Sequence, residues 1–334
     1  MPPINLPVLF VTSRLPHHAQ QRLEALAGVE VRQHTGTSAI GRAQLLEGVR
    51  DADGLICVLS DKIDSELIQA AGPQLRVIST VSVGYDHVDL DALRRHGKIR
   101  LGYTPDVLTD ATADTTVLLA LMAARRVKLA LQTVANGEWG GGFSLSTGLG
   151  SQFTGKTLGI VGLGRIGYAT AQRLLPFGVS RILYSGSRSH SGRAECLGGG
   201  GAEYVSFEDL LRESDLVCIC CPLNERTEGM FDRRAFAAMK SSAILVNTAR
   251  GAIVNQDDLL VALDEGLIAH AALDVTVPEP LPKDHPLVVH PKCTILPHIG
   301  SATEETRNAM ANLAIDNALA GIQGLKDLAA EVTI

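Results

Sequence analysis

Four short segments hold residue types that can do chemistry. Arg250 closes the run Val246-Asn247-Thr248-Ala249-Arg250-Gly251, Glu279 stands between Pro278 and Pro280, a few residues after Leu273-Asp274, and His298 lies in Leu296-Pro297-His298-Ile299-Gly300. A guanidinium grips a carboxylate through paired N–H groups, a carboxylate orients an imidazole, and an imidazole exchanges a proton near neutral pH. The fourth segment reads Gly162-Leu163-Gly164-Arg165-Ile166-Gly167 directly after the apolar run from Thr157. There Gly162 permits a tight turn, Gly164 lets the backbone approach a diphosphate, and Gly167 lets a helix pack closely on a strand. The amides at that helix start then face negative charge. Taken singly, each has a plainer reading: a structural histidine, an Arg250–Glu279 ion pair, a glycine turn that only connects.

The elements that must position these groups are legible as an alternation. Strand-like runs fall at Val8–Thr12, Leu55–Leu59 and Val77–Val81, with helical patterns at Ala19–Ala27 and Ser65–Ala71. A second series follows at Thr157–Gly162, Arg181–Tyr184, Leu216–Cys221, Ala243–Asn247, Ala269–Leu273 and Thr294–Leu296, with a helix at Gln256–Asp264 among them. Such alternation predicts two parallel sheets, each covered by helices. Residues far apart in sequence then meet at the carboxyl ends of strands, where open α/β sheets bind ligands. A break at Tyr103-Thr104-Pro105, one long helix over Ala111–Val134 and a glycine-rich Gly137–Gly150 segment separate the series, and an amphipathic helix over Glu304–Gln323 ends the chain. Trp139, the only tryptophan, reads equally as a core anchor or as part of an interface or lid.

The 334 residues are 46% hydrophobic and 20% charged, enough for two folded domains. A net charge of −6 argues against nucleic acid and anionic membranes as partners. The apolar run Val117–Ala124 is far short of the roughly 20 residues of a spanning helix, and the first residues carry no secretory pattern. Six cysteines show neither zinc spacing nor Cys-x-x-Cys, and Cys218, Cys220 and Cys221 fall in an apolar run, so buried, reduced thiols, no metal and a cytoplasmic location are expected. An NAD-preferring site places Asp or Glu about 20 residues past the glycine loop. Here the strand ends Ser185-Gly186-Ser187-Arg188, and a hydroxyl with a guanidinium suits a 2′-phosphate, predicting NADP(H) over NAD(H).

Together these segments resemble the D-isomer-specific 2-hydroxyacid dehydrogenases. Val83-Gly84-Tyr85-Asp86-His87-Val88-Asp89 is similar to that family's substrate loop, and the Arg250, Glu279 and His298 segments are similar to its three catalytic motifs. Tyr103–Thr109, the stretch from Pro280 to Leu287 and His298–Thr303 look most like its glyoxylate/hydroxypyruvate reductase branch. The resemblance implies two Rossmann-like or flavodoxin-like domains with an active site in the interdomain cleft. Residues 1–104 with 300–334 would bind substrate, and 105–299 would bind the dinucleotide. Substrate would meet Leu59, Ser60, Val83, Gly84 and Arg250. The coenzyme would meet Gly162, Gly164, Arg165, Ile166, Ser185, Ser187, Arg188, Cys221, Thr248, Asp274, His298 and Gly300, although Cys221 also reads as core packing. His298 would act as general acid, oriented by Glu279, while Arg250 holds a small 2-oxo acid. The family also implies a homodimer formed through the coenzyme domain, with the Ala111–Val134 helix at the interface. One departure is Asp114, where the family has glutamate, which bears on substrate preference. Two alternatives stay open: a relative acting on another 2-oxo acid, and a dinucleotide-sensing, corepressor-like protein without turnover.

Overall fold

Aliphatic and β-branched runs are buried along their whole length, as parallel strands covered on both faces require. The computed structural model describes residues 6–140, 145–146 and 148–334, so five positions of the glycine-rich segment lie outside the described residues. The chain opens with β1 (Val8–Val11), α1 (His17–Glu24), β2 (Glu30–Gln33), α2 (Arg42–Gly48), β3 (Gly54–Cys57), α3 (Ser65–Ala71), β4 (Val77–Thr80), α4 (Leu90–His96) and β5 (Arg100–Gly102). It continues with α5 (Thr109–Ala124), α6 (Val127–Ala135), β6 (Thr157–Val161), α7 (Arg165–Leu174), β7 (Arg181–Ser185), α8 (Ser191–Glu195), β8 (Glu203–Tyr204) and α9 (Phe207–Glu213). Then come β9 (Leu216–Ile219), α10 (Arg233–Ala238), β10 (Ile244–Asn247), α11 (Gln256–Glu265), β11 (His270–Leu273), α12 (Pro286–Val289), β12 (Cys293–Ile295) and α13 (Glu304–Ile322).

Two compact units result. One runs to Leu108 and resumes at Ala302; the other is Thr109–Ser301. The first unit holds a parallel sheet ordered β2-β1-β3-β4-β5, the flavodoxin-like winding, whose order reverses between β1 and β3. The second holds a parallel sheet ordered β12-β11-β10-β9-β6-β7-β8, the Rossmann winding, which reverses between β6 and β9. The reversal opens a crevice beyond the ends of β6 and β9, where Gly162 and Cys221 lie side by side.

Several sequence expectations change. The edge strands β2, β5 and β8 were not anticipated: β2 is the half-exposed Glu-Val-Arg-Gln, β5 has three residues and β8 has two. The run Leu216–Cys221 leaves the sheet after Ile219. The long helix over Ala111–Val134 is two helices, α5 and α6, broken at Arg126 with φ +51°. The helix end is met by a segment distant in sequence: the amide of Ser151 donates to the Ala124 carbonyl at 2.8 Å, and Gly150 packs against that carbonyl so closely that a Cβ would stand 2.2 Å from it. Trp139 is 81% exposed, so it is no core anchor. Among the described residues no helix is long and apolar enough to cross a membrane.

The chain's last helix, α13, returns to the first unit's sheet through small residues. A Cβ on Gly321 would lie 2.4 Å from Val77 Cβ, and Arg76 Nη1 donates to the Ile322 carbonyl at 3.0 Å. Gly321→Ala is expected to lower unfolding stability by about 1–3 kcal/mol, since overpacking outweighs the roughly 1 kcal/mol gain in helix propensity. Guanidinium titration checks this, and a neutral or stabilising change would contradict the packing described.

Candidate active site

The glycine loop is built as its spacing requires. Gly162 has φ +96°, and a Cβ there would stand 2.8 Å from Cys221 N and Cα, so a side chain is barred by both conformation and space. On Gly167 a Cβ would lie 2.2 Å from the Gly162 carbonyl, which is how α7 gets so near β6. Gly164 differs: a Cβ there would meet no atom within 4 Å. Its open face borders the start of α7, which no side chain caps, so the loop has both the room and the unblocked helix end that a diphosphate needs. Arg165 and Ile166 are the first residues of that helix. Thr248 is tied from below: Thr116 Oγ1 donates to the Thr112 carbonyl, so the proton in the 2.8 Å contact between Thr116 and Thr248 comes from Thr248.

The end of β7 carries no carboxylate. Ser185 is buried and gives its carbonyl to the Gly162 amide at 2.8 Å, while Ser187 and Arg188 are exposed. Two tyrosines fix the turn between them, Tyr204 Oη donating to the Gly186 carbonyl and Tyr184 Oη accepting from the His190 amide. Arg193, on α8, donates from Nη1 to the Leu163 carbonyl of the glycine loop at 3.3 Å. Sequence reading missed Arg193, because α8 is short and its approach to the loop is a tertiary contact. Asp114 pairs with Arg173 on α7, alongside Asp110.

Arg250, Glu279 and His298 follow β10, β11 and β12, adjacent strands of one sheet. Asn247, fully buried, builds the first turn: its side chain donates to the Arg250 carbonyl at 2.8 Å and accepts from the Ala249 amide at 3.0 Å. Gly251 allows the next loop to close in, since a Cβ there would lie 2.3 Å from the Thr276 carbonyl. In that loop Glu279 Oε1 accepts from the Thr276 amide at 3.0 Å, and Oε2 stands 2.7 Å from His298 Nδ1. Burial pushes the Glu279 carboxyl up, but the bond to His298, its charge, the Thr276 amide and Arg250 outweigh it and hold the carboxyl below its usual range. An ionised carboxylate only accepts, so His298 Nδ1 bears a hydrogen and Nε2 is the ring atom left for proton exchange.

Asp274 does something the sequence did not suggest. Almost wholly buried, it takes the Ile299 amide on Oδ1 at 2.8 Å and the Gly300 amide on Oδ2 at 2.7 Å, while its carbonyl takes the His298 amide at 2.9 Å. Three consecutive amides thus turn on one residue, and His298 adopts φ +53°, a left-handed conformation uncommon outside glycine. Burial raises the Asp274 carboxyl, opposed by the two amides and by His298. Lys128 is the second missed residue. Its ammonium donates to the carbonyls of Val288, His290 and Cys293 at 2.7–2.8 Å, tying α12 and β12 to α6. Lys128, Asp274, Glu279, Leu281 and His298 border one cavity of about 640 Å³ within the second unit.

In the first unit, Leu59 and Ser60 occupy the turn after β3. Asp61, 3% exposed, anchors it by accepting from the Val58 amide at 2.8 Å and from Thr12 Oγ1. Burial raises that carboxyl against those two donors and His34. Val83 and Gly84, both half-buried, follow β4.

Comparison with known proteins agrees with this architecture. Residues 117–300 match the model of the D-isomer specific 2-hydroxyacid dehydrogenase, NAD binding domain. The human glyoxylate reductase/hydroxypyruvate reductase is 48% identical, covering 97% of both chains. A crystal structure of a Thermus thermophilus protein superposes with TM-score 0.88 at 43% identity, covering 98% of this chain and 100% of that one. An NADPH-dependent glyoxylate/hydroxypyruvate reductase from Sinorhizobium meliloti, solved with NADP and malonate, superposes with TM-score 0.82 at 31% identity, covering 98% and 97%.

Asp274→Asn keeps the shape but leaves one acceptor oxygen for two amides. Hydrogen exchange at Ile299 and Gly300 is expected to quicken about tenfold or more, as the loss of a buried bond dictates. Unchanged protection would show that the carboxylate does not hold the His298 turn.

Proposed function

We infer the reaction from a premise the comparisons supply: the chain belongs to the D-isomer specific 2-hydroxyacid dehydrogenase family. It is an oxidoreductase of the nicotinamide-dependent kind, and the reading that fits best is reduction of glyoxylate to glycolate and of hydroxypyruvate to D-glycerate. The observation that carries it is the 2.7 Å pairing of His298 Nδ1 with an ionised Glu279, which leaves Nε2 as a proton donor at the end of a sheet whose next two strands end in the Glu279 and Arg250 loops. The identity to named reductases supports the choice of substrates.

Held at the glycine loop by Gly162, Gly164, Arg165 and Ile166, a reduced nicotinamide coenzyme would supply the hydride that the ketone carbon takes up. His298 gives its Nε2 proton to the oxygen as charge develops there, and Glu279 holds the ring in place through Nδ1. Arg250 holds the substrate carboxylate and the carbonyl oxygen. Val83 and Gly84 amides are assigned the same carboxylate, and Leu59 and Ser60 the covering turn, which makes the first unit the substrate-binding domain and the second the dinucleotide-binding domain. Gly162, Gly164, Arg165 and Ile166 are assigned the diphosphate, Cys221 and Thr248 the rim of that crevice, and Asp274 with Gly300 the nicotinamide end.

NADPH is the coenzyme proposed, because Ser185, Ser187, Arg188 and Arg193 offer hydroxyls and cations where NAD sites hold a carboxylate. With a net charge of −6 the chain as a whole does not attract anions, so these cations and Arg250 must do so locally. A homodimer through α5 and α6 is proposed on the exposed Leu118, Leu131, Val134 and Trp139. Six free cysteines suit a reducing, cytoplasmic setting.

A panel of 2-oxo acids measured with both coenzymes tests this. Glyoxylate and hydroxypyruvate with NADPH are expected to give the highest kcat/KM, with NADPH favoured over NADH by about tenfold or more, the scale of one charge-assisted contact. A preference for NADH would overturn the coenzyme assignment. Preference for a phosphorylated, branched or aromatic acid would overturn the substrate assignment. Coenzyme binding without turnover on any acid would favour a sensing role.

A further inference from the structure

Beneath the Val83–Gly84 loop lies a line of polar side chains that the proposed reaction does not use. Ser82 Oγ is 2.6 Å from the Gly84 carbonyl, Thr80 Oγ1 is 2.7 Å from Ser82 Oγ, and His87 Nε2 is 3.0 Å from Thr80 Oγ1. Thr80 is fully buried and Ser82 is 3% exposed, so these groups must satisfy one another. Each short contact needs one proton between its two atoms, and counting protons fixes every direction. A carbonyl cannot donate, so Ser82 spends its only hydroxyl proton on Gly84. The contact between Ser82 and Thr80 must then be filled by the Thr80 proton. Thr80 has none left for the histidine, so His87 Nε2 carries the hydrogen and donates it. Cys57, fully buried and pushed up by that burial, stays a thiol beside Thr80, whose oxygen keeps a second lone pair. The histidine's own backbone is fixed, its carbonyl accepting from the Ile63 amide at 3.0 Å.

We propose that His87, carrying its proton on Nε2, acts through Thr80 and Ser82 as a positioning residue for the Val83–Gly84 peptides that receive the substrate carboxylate. The relay clamps the carbonyl of a glycine, the residue with the most backbone freedom to lose. On the other side, the Ser82 carbonyl accepts from the Thr104 amide at 2.8 Å, and a trans peptide then directs the Val83 N–H the opposite way. The Gly84 N–H lies between these two fixed points. Donor after donor aligned in one direction also polarises the chain, which stiffens the clamp. The role of the two amides rests on the function proposed above; the direction of the relay does not.

Two measurements separate these claims. Nitrogen-15 histidine spectra of the full chain with NADPH, above the pH range of histidine titration, read the tautomer directly, with the His87 signal identified by its loss in His87→Gln. The Nε2–H tautomer is expected, and the Nδ1–H tautomer would overturn the relay whatever the enzyme reduces. Thr80→Val keeps the branched shape and removes both bonds, so KM for glyoxylate is expected to rise about tenfold while kcat and NADPH affinity change by less than about twofold. Thr80→Ser, which restores the hydroxyl, is expected to bring KM back to within about threefold of the native value. An unchanged KM in Thr80→Val, or a fall in kcat at constant KM, would overturn the positioning role. Native protein that turns over neither acid would contradict the proposed function and leave the relay to stand or fall on the tautomer.

Discussion

The turn that Asp274 imposes on residues 298–300 is the constraint on which the site depends. A histidine does not take φ +53° without support, and here two carboxylate oxygens and one carbonyl of a single buried residue hold three successive amides. That turn swings the ring of His298 towards the loop after β11, where Glu279 meets it. The other features serve the same end. Gly251 has no side chain, so the Thr276 backbone can close in; the Thr276 amide fixes Glu279, and Lys128 ties down the start of β12 from α6. The His298 ring is thus held through hydrogen bonds, most of them to backbone.

Electrostatics divide the work between the two carboxylates. Both are buried enough for desolvation to push them up, yet they end on opposite sides of their usual range. Glu279 has the hydrogen bond from His298, the Thr276 amide and the Arg250 cation, which bring it down. Asp274 has two amides but also the repulsion of Glu279, and it stays raised. The pair therefore splits into a carboxylate that orients the ring and a carboxylate that shapes the backbone. In a chain of net charge −6 the overall field does not favour an anionic substrate, so the proposed reaction asks Arg250 and the loop amides to bind one locally.

Much of this was legible in the sequence because parallel sheets write their strands as apolar runs. β1, β3, β4, β6, β9, β10 and β11 are buried on both faces, and their ends place Gly162, Arg250 and the loop of Glu279. The edge strands β2, β5 and β8 were invisible for the converse reason: an edge strand can be polar or very short and still pair on one side. The break between α5 and α6 was invisible because the contact that meets the helix end, the Ser151 amide on the Ala124 carbonyl, comes from 27 positions downstream. Asp274, Lys128, Arg193 and the His87–Thr80–Ser82 line share that limitation. Residue type signals that a group can accept or donate; which distant backbone atom it meets is decided by the fold.

The central claim is that His298 supplies the proton. Single-turnover reduction of glyoxylate by His298→Ala with saturating NADPH tests it most directly, with coenzyme binding followed by fluorescence in the same sample. A loss of about 10²- to 10⁴-fold in the reduction rate with coenzyme affinity retained is the predicted result, the range expected for removal of a general acid. A variant that reduces glyoxylate at close to the native rate would contradict it.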